Sequence, residues 1–166
     1  MPTDVVHFVP ETECRAKAEA LFATQSRRLG DLLPSAEIHH IGSTSIPDSL
    51  TKGDLDILVR VHLPEFRAAE AILASHYQRN LGSDRTPEFA TFKDDSLDPP
   101  LGIQLAAIGG PHDHFLAFRD ALLANPELLT HYNQLKRDFY GKPMDEYRAA
   151  KSAFVEQVLK QRHAMP

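Results

Sequence analysis

An apolar strand that begins with two aspartates constrains this chain of 166 residues more than any other feature. From Asp54 to Val61 the sequence is DLDILVRV, which predicts a strand with Leu55, Ile57, Val59 and Val61 on one face. Side chains alternate between the two faces of a strand, so Asp54 and Asp56 point the same way, with Cα atoms roughly 6.5–7 Å apart. Two carboxylates on one face are suitable ligands for a divalent metal ion such as Mg²⁺.

A Gly42-Ser43 turn precedes these aspartates and follows another predicted strand, Ala36 to Ile41. Such a turn offers backbone N–H groups and a hydroxyl to a phosphate. Each motif alone is weak, because Gly-Ser turns and aspartates at strand ends are common. Together, in this order and spacing, they predict a site for nucleotidyl or phosphoryl transfer.

The rest of the chain alternates helical and strand patterns. Apolar spacing predicts helices over 11–33 and from Pro64 to Tyr77, and further strands over 88–93 and 101–108. Three helices follow between Asp113 and about Gln161, separated at Asn125-Pro126 and at Gly141-Lys142-Pro143, with Asp113 as the N-cap of the first. We therefore predict an α/β (α+β) fold in a single domain over 1–166, with the sheet core at about 34–110 and a helical tail at about 112–162.

Composition limits the classes of function. A hydrophobic content of 42% and a charged content of 25% are ordinary for a soluble globular protein. The sequence shows neither a signal peptide nor an apolar segment of ~20 residues, so we expect a cytoplasmic protein without a membrane partner. The formal charge of −5 argues against an extended nucleic-acid footprint, but it does not exclude a small nucleotide. The single Cys14 excludes an intrachain disulfide and a cysteine-based zinc site.

Two blocks of this sequence resemble the GrpB family, also called UPF0157, within the nucleotidyltransferase superfamily. The first block comprises His40 to Pro47, Lys52, and Asp54 to Val59, and the second begins with His114 to Asp120. The C-terminal positions that also fit are Asn125, Pro126, Glu127, Tyr132, Leu135, Lys136, Tyr147, Lys151 and Phe154. The resemblance covers nearly the whole chain and implies a nucleotidyltransferase-like fold, with a small mixed sheet flanked by helices and a helical C-terminal segment.

The resemblance and the motifs together predict a set of site residues. Asp54 and Asp56 are the candidate catalytic residues and the ligands of Mg²⁺. The candidate nucleotide-binding residues are Gly42, Ser43, Thr44, Lys52 and Arg119. Among the basic residues, Lys52 is preferred because it closely precedes the aspartates, and Arg119 because it lies in the second family-like block. His40, immediately before the turn, is expected to face the ligand.

One expected component of the site is missing. Nucleotidyltransferases of this kind usually carry a third acidic residue on a later strand, whereas the strand over 101–108 has Gln104 at its polar position. Glutamine has no basic group and is a poor proton acceptor. Two interpretations therefore remain: an enzyme that transfers a nucleotidyl group from a Mg²⁺-bound nucleotide to a small acceptor, or a catalytically silent nucleotide-binding module. An accessory protein that acts through a protein partner is a third possibility.

Overall fold

A mixed sheet of five strands lies at the centre of the computed structural model, which describes residues 4–164 of the chain, with side chains described as far as residue 162. In chain order the strands are β1 (Val9–Pro10), β2 (Glu37–Ile41), β3 (Leu50–Thr51), β4 (Leu55–Val61), β5 (Gln78–Arg79), β6 (Phe89–Asp94) and β7 (Leu101–Ala107). The order across the sheet is β2-β4-β7-β6-β5; β4 and β7 are parallel and the other pairs antiparallel. Strands β1 and β3 form a separate antiparallel pair.

The described part of the chain also contains five α-helices, and they account for every helix expected from the sequence. They are α1 (Arg15–Leu32), α2 (Leu63–His76), α3 (Phe115–Ala124), α4 (Pro126–Phe139) and α5 (Met144–Ala164). The predicted helix over 11–33 begins with a short 3-10 turn at Glu11–Glu13, and a second 3-10 turn lies at Ser43–Ser45, while the three two-residue strands are the elements that the sequence did not predict. The mixed α+β fold is confirmed. No helix within residues 4–164 is both long and apolar enough to cross a bilayer.

Strand β4 lies between two apolar clusters, and the alternating pattern predicted the face that joins the larger one. On one face, Leu55, Ile57, Val59 and Val61 join the main core with residues of α1 and α2. On the opposite face, Leu58 packs in a smaller cluster with Phe89, against which Phe115 of α3 packs. Complete burial of an aliphatic side chain stabilises a fold by about 1.5–3 kcal/mol, so both faces of β4 hold this strand in place.

The segment between β2 and β4 is attached to the C-terminal helices through α4. The Asn133 side chain accepts a hydrogen bond from the backbone N–H of Leu50 (2.9 Å) and donates one to the carbonyl oxygen of Asp48 (3.0 Å). Ile46 is buried in a cluster with Leu122 of α3 and Tyr132 of α4. The helical tail thus fixes the position of the turn segment. Whether the whole chain behaves as one domain stays a prediction.

The predicted role of Asp113 as an N-cap is wrong. Helix α3 has His114 at its N-cap position, without a side-chain capping bond. The Asp113 carboxylate instead accepts hydrogen bonds from Nε (2.8 Å) and Nη2 (2.7 Å) of Arg60 on β4, and from the backbone N–H of Gly109 (2.8 Å). A bidentate guanidinium pair is stronger than a neutral capping bond, and the sequence does not reveal that Arg60 reaches this loop.

Candidate functional site

Gly42 occupies a position that only glycine tolerates. Its φ is 75° and its ψ is −178°, a backbone region restricted almost entirely to residues without a Cβ atom. A Cβ at this position would lie 2.5 Å from Oδ2 of Asp56. The glycine therefore serves two purposes: it permits the turn, and it lets the backbone approach the Asp56 carboxylate.

Asp54 and Asp56 line one small polar cavity together with Ser43. Asp54 immediately precedes β4, and Asp56 lies within it, opposite Ile41 of β2 and Gly102 of β7. The small cavity has a volume of about 140 Å³. The sequence-predicted turn and aspartate pair are thus brought together, while the chemical role assigned to them stays a prediction.

A second glycine, Gly102, flanks the Asp56 carboxylate from the other side. A Cβ on Gly102 would lie 2.9 Å from Oδ1 of Asp56, so this carboxylate sits between two glycines that contribute no side chains. Sequence reasoning did not select Gly102. The available signal was a glycine inside an otherwise apolar strand, which often marks a close approach of another group.

The charge of Asp56 is incompletely compensated by the protein. Burial, together with the neighbouring Asp54, raises the pKa of Asp56 to about 6, while Lys151, Lys52 and the side-chain amide of Gln104 act in the opposite direction. Nζ of Lys52 lies 4.0 Å from Oδ2 of Asp54, and burial lowers the pKa of this lysine. A bound cation would stabilise both carboxylates, and hard carboxylate oxygens suit Mg²⁺. The donor set therefore fits the metal predicted from the sequence.

A larger cavity of about 750 Å³ adjoins the small one. The two cavities share four lining residues, Ser43, Asp56, Tyr132 and Lys151. One side of the larger cavity is formed by residues of β2, β4 and β7, and the other by α3 and one face of α5. The α5 residues on this face follow helical spacing: Arg148, Lys151, Ser152, Val155, Glu156 and Leu159.

The predicted basic residues are divided between these cavities. Lys52 lines only the small one and Arg119 only the larger one. Arg119 donates a hydrogen bond from Nη1 to the carbonyl oxygen of His40 (3.0 Å) and pairs with Asp120 (3.0 Å). The helix α3 therefore brings Arg119 to the end of β2, on the far side of the turn from Lys52.

Thr44 and His40 do not line either cavity. The Thr44 side chain is 5% exposed, and its hydroxyl donates to the carbonyl oxygen of Asp54 (3.1 Å) and accepts from Nε2 of His40 (2.9 Å). The His40 ring stacks on Phe22, with ring centres 5.2 Å apart, and its burial lowers its pKa to about 4. Both side chains are hydrogen-bonded within the turn segment, and the assignment of Thr44 to nucleotide binding and of His40 to the ligand side stays a prediction.

Lys136 on α4 fits the family pattern but was not among the predicted site residues. It lines the small cavity although it is only 1% exposed. Its Nζ donates a hydrogen bond to the carbonyl oxygen of Leu50 (2.6 Å) and lies 4.1 Å from the ring centre of Tyr132. Burial, with Lys151 and Lys52 nearby, places its pKa well below the usual value. The signal was present in the sequence, because Tyr132 and Lys136 are four residues apart on one helix face.

No third acidic residue joins Asp54 and Asp56 in the part of the chain that the structure describes. Within the described residues, no group of three or more His, Cys, Asp and Glu side chains is placed to hold a metal ion. Gln104 of β7 pairs in register with Leu58, two residues beyond Asp56. It lines the larger cavity, and its Oε1 is buried without a hydrogen-bond partner.

Comparison with known proteins identifies the family. The model of the GrpB protein family matches residues 12–161. The chain belongs to the GrpB family. A UPF0157 protein of Vibrio cholerae is 39% identical to this GrpB protein over 159 residues, which cover 95% of this chain and 84% of the relative. A UPF0157 protein of Deinococcus radiodurans is 31% identical, covering 84% and 74% of the two chains.

Solved structures support the fold. The crystal structure of GrpB from Enterococcus faecalis superposes with a TM-score of 0.68 at 21% identity, covering 87% of this chain and 91% of that one. The Cid1 poly(U) polymerase bound to MgGTP superposes with a TM-score of 0.53 at 12% identity, covering 77% of this GrpB protein but only 42% of Cid1. At these identities the likeness concerns the fold, which is that of the nucleotidyltransferases.

Proposed function

We propose that this GrpB protein binds a nucleoside triphosphate with Mg²⁺ in the two adjoining cavities and transfers its nucleotidyl group to a small acceptor. The observation that carries the proposal is the position of Asp56, whose carboxylate lies beside Asp54 and against the Gly42 turn in one polar cavity. The Cid1 neighbour, which shares the fold, is a polymerase described with MgGTP bound.

Asp54 and Asp56 would hold the metal, with water and phosphate oxygens completing its coordination. When bound, Mg²⁺ supplies positive charge that neutralises the phosphates. The lysines of the small cavity, Lys52, Lys136 and Lys151, add further positive charge there. Because burial lowers the pKa of Lys136, an anionic ligand beside it would favour the charged form of this lysine. The small cavity thus suits the polyphosphate group.

The larger cavity would hold the nucleoside and the acceptor. Its wall carries Phe115 and Phe118 beside the polar groups already described, and aromatic faces are suitable stacking surfaces for a base. A cytoplasmic location, where nucleotides and Mg²⁺ are abundant, belongs to the same proposal. Cell fractionation would test it.

A specific observation favours a second candidate function, the catalytically silent module. Gln104 stands where a third carboxylate is expected, and the described part of the chain supplies no substitute in the metal cluster. In that case the protein binds the nucleotide with Mg²⁺ but has no turnover.

Thermal unfolding in the presence of each nucleoside triphosphate, with and without Mg²⁺, tests the proposal. A ligand at about 100 times its Kd stabilises the native state by about 2.7 kcal/mol, which is a shift of several degrees. We expect the shift to require Mg²⁺ and to disappear in Asp56→Asn. The matched control is Asp98→Asn, at an exposed carboxylate that pairs with Lys17 and lines neither cavity, and it should retain the shift.

Two results separate the possibilities. Absence of any Mg²⁺-dependent shift, or an unchanged shift in Asp56→Asn, would refute nucleotide binding at this site. A normal shift without release of pyrophosphate or transfer of an α-phosphate label would favour the silent module.

A further inference from the structure

We propose that the acceptor is itself an anion, a small molecule that carries a phosphate monoester and uses that phosphate as its nucleophile. This inference rests on the proposed function, since it names the acceptor class of the same site. It is carried by two features of the larger cavity: the chemistry of Gln104 and the guanidinium groups of the helical wall.

Gln104 can hold a hydroxyl group but cannot activate it. Its buried Oε1 has no hydrogen-bond partner within the described residues, so it is available to accept a hydrogen bond from a ligand hydroxyl. An amide oxygen does not take the proton away, whereas an alcohol acceptor must lose its proton as the new bond forms. An alcohol beside Gln104 would be bound without being made nucleophilic.

Besides the metal ligands, the groups on this cavity that could take a proton are Asp84, Glu156 and His114, whose ring stacks on Phe115 with ring centres 4.6 Å apart. Asp54 and Asp56 are assigned to the metal. Asp84 is 85% exposed on a loop, and Glu156 is exposed on α5, so both face water at the margin of the cavity. A phosphate monoester needs no base, because its second pKa of about 6 leaves it doubly charged at neutral pH.

The larger cavity has positive groups of its own. Arg119 and Arg148 line it and do not line the small cavity, while Lys151 lies at the boundary of the two. Arg119 is paired with Asp120. Among the residues whose side chains the structure describes, Arg148 and Lys151 have no carboxylate within ion-pair distance. Arg148 is exposed on α5, as Glu156 is, but a guanidinium binds phosphate through paired N–H donors even at the edge of a cavity, so Arg148 is the strongest candidate to hold the acceptor phosphate.

The group transfer balances without proton removal. An anionic oxygen of the monoester attacks the α-phosphorus of the nucleoside triphosphate and forms a new P–O bond. The P–O bond between the α-phosphorus and the oxygen bridging to the β-phosphate breaks, and pyrophosphate leaves with the electron pair. The product is a diphosphate diester that joins the acceptor to the nucleoside.

Paired acceptors test the inference: glucose 1-phosphate against glucose, and glycerol 3-phosphate against glycerol, each with an α-labelled triphosphate and Mg²⁺. We expect the label to be transferred to the monoesters at least ten times faster than to the alcohols. Loss of a charge-assisted hydrogen bond is worth about 1.5–3 kcal/mol, so Arg148→Gln should raise the KM for the monoester by about 10- to 100-fold. The KM for the triphosphate should change less than about twofold.

One control variant, one variant of the cavity wall and one binding measurement complete the experiment. Lys160→Gln removes a charge from an exposed position of α5 outside the cavity and should leave transfer unchanged. Glu156→Gln removes a carboxylate that lines the cavity, and because a phosphate monoester needs no base, transfer to the monoesters should persist in this variant. With an α,β-methylene triphosphate and Mg²⁺ bound, each monoester should further raise the melting temperature, and Arg148→Gln should remove that increment.

The outcomes are distinct. Transfer to the alcohols at equal or higher rates, loss of transfer in Glu156→Gln, or triphosphate binding without any effect of either monoester would overturn the acceptor class and leave nucleotide binding intact. If no triphosphate binds, the proposed function fails and the acceptor inference fails with it.

Discussion

Gly42→Ala should disturb both the stability and the ligand site of this protein. At φ 75° and ψ −178°, a residue with a Cβ atom incurs about 1–3 kcal/mol of backbone strain. The new Cβ would also lie 2.5 Å from Oδ2 and 3.0 Å from Cβ of Asp56. Relief of such an overlap, by movement of the turn or the carboxylate, costs typically about 1–3 kcal/mol. We therefore expect a loss of about 2–6 kcal/mol in the free energy of unfolding.

Two further variants separate strain from overlap. Gly141 has a similar φ of 78°, but no atom lies within 4 Å of the position its Cβ would take. Gly141→Ala should therefore lower the free energy of unfolding by about 1–2 kcal/mol, through backbone strain alone. Combining Gly42→Ala with Asp56→Ala removes the carboxylate oxygen from the overlap but keeps the Cβ contact. The double variant should lose at least about 1 kcal/mol less than the sum of the two single losses.

Urea denaturation followed by circular dichroism, in metal-free buffer at pH 7, measures these differences. The reasoning is refuted if Gly42→Ala costs no more than Gly141→Ala. It is also refuted if the loss of unfolding free energy in the double variant equals the sum of the two single losses to within about 0.5 kcal/mol. The Mg²⁺-dependent thermal shift by nucleotide should be lost in Gly42→Ala and kept in Gly141→Ala, because only the former displaces Asp56.

Three other predictions follow from the fold and its charges. Because the pKa of Asp56 is raised to about 6, ionisation of this carboxylate should lower the free energy of unfolding as pH rises from about 4 to 6 without metal, whereas His40, whose pKa is lowered to about 4, contributes in the opposite direction. Asp56→Asn should therefore gain stability relative to the wild type across that window, and urea curves showing the same difference at pH 4 and pH 7 would contradict this. Arg60→Met leaves the Asp113 carboxylate, which is 6% exposed, without its charged partner. This change should lower the free energy of unfolding by about 3–5 kcal/mol. A loss no larger than that of the exposed control Arg67→Met would disprove the role of the pair. Limited proteolysis should release no stable fragment beginning near residue 112, since α4 is bonded to the turn segment.

The sequence was sufficient to predict the features that depend only on residues close together in the chain. The alternation in β4 depends only on strand geometry, so the common side of Asp54 and Asp56 followed directly from their spacing. The same holds for the helix breaks at Pro126 and Gly141, which act on the backbone at their own positions.

The sequence therefore determined the order of the elements, the family and the core of the candidate site at Gly42, Asp54 and Asp56. Only the tertiary structure decided which residues from distant segments meet that core. It placed Lys136 and Lys151 beside the aspartates and separated Arg119 from Lys52. Packing also buried Thr44. The physical reason is that these positions depend on how α3, α4 and α5 pack against the sheet, and such long-range contacts leave no periodic signal in the chain.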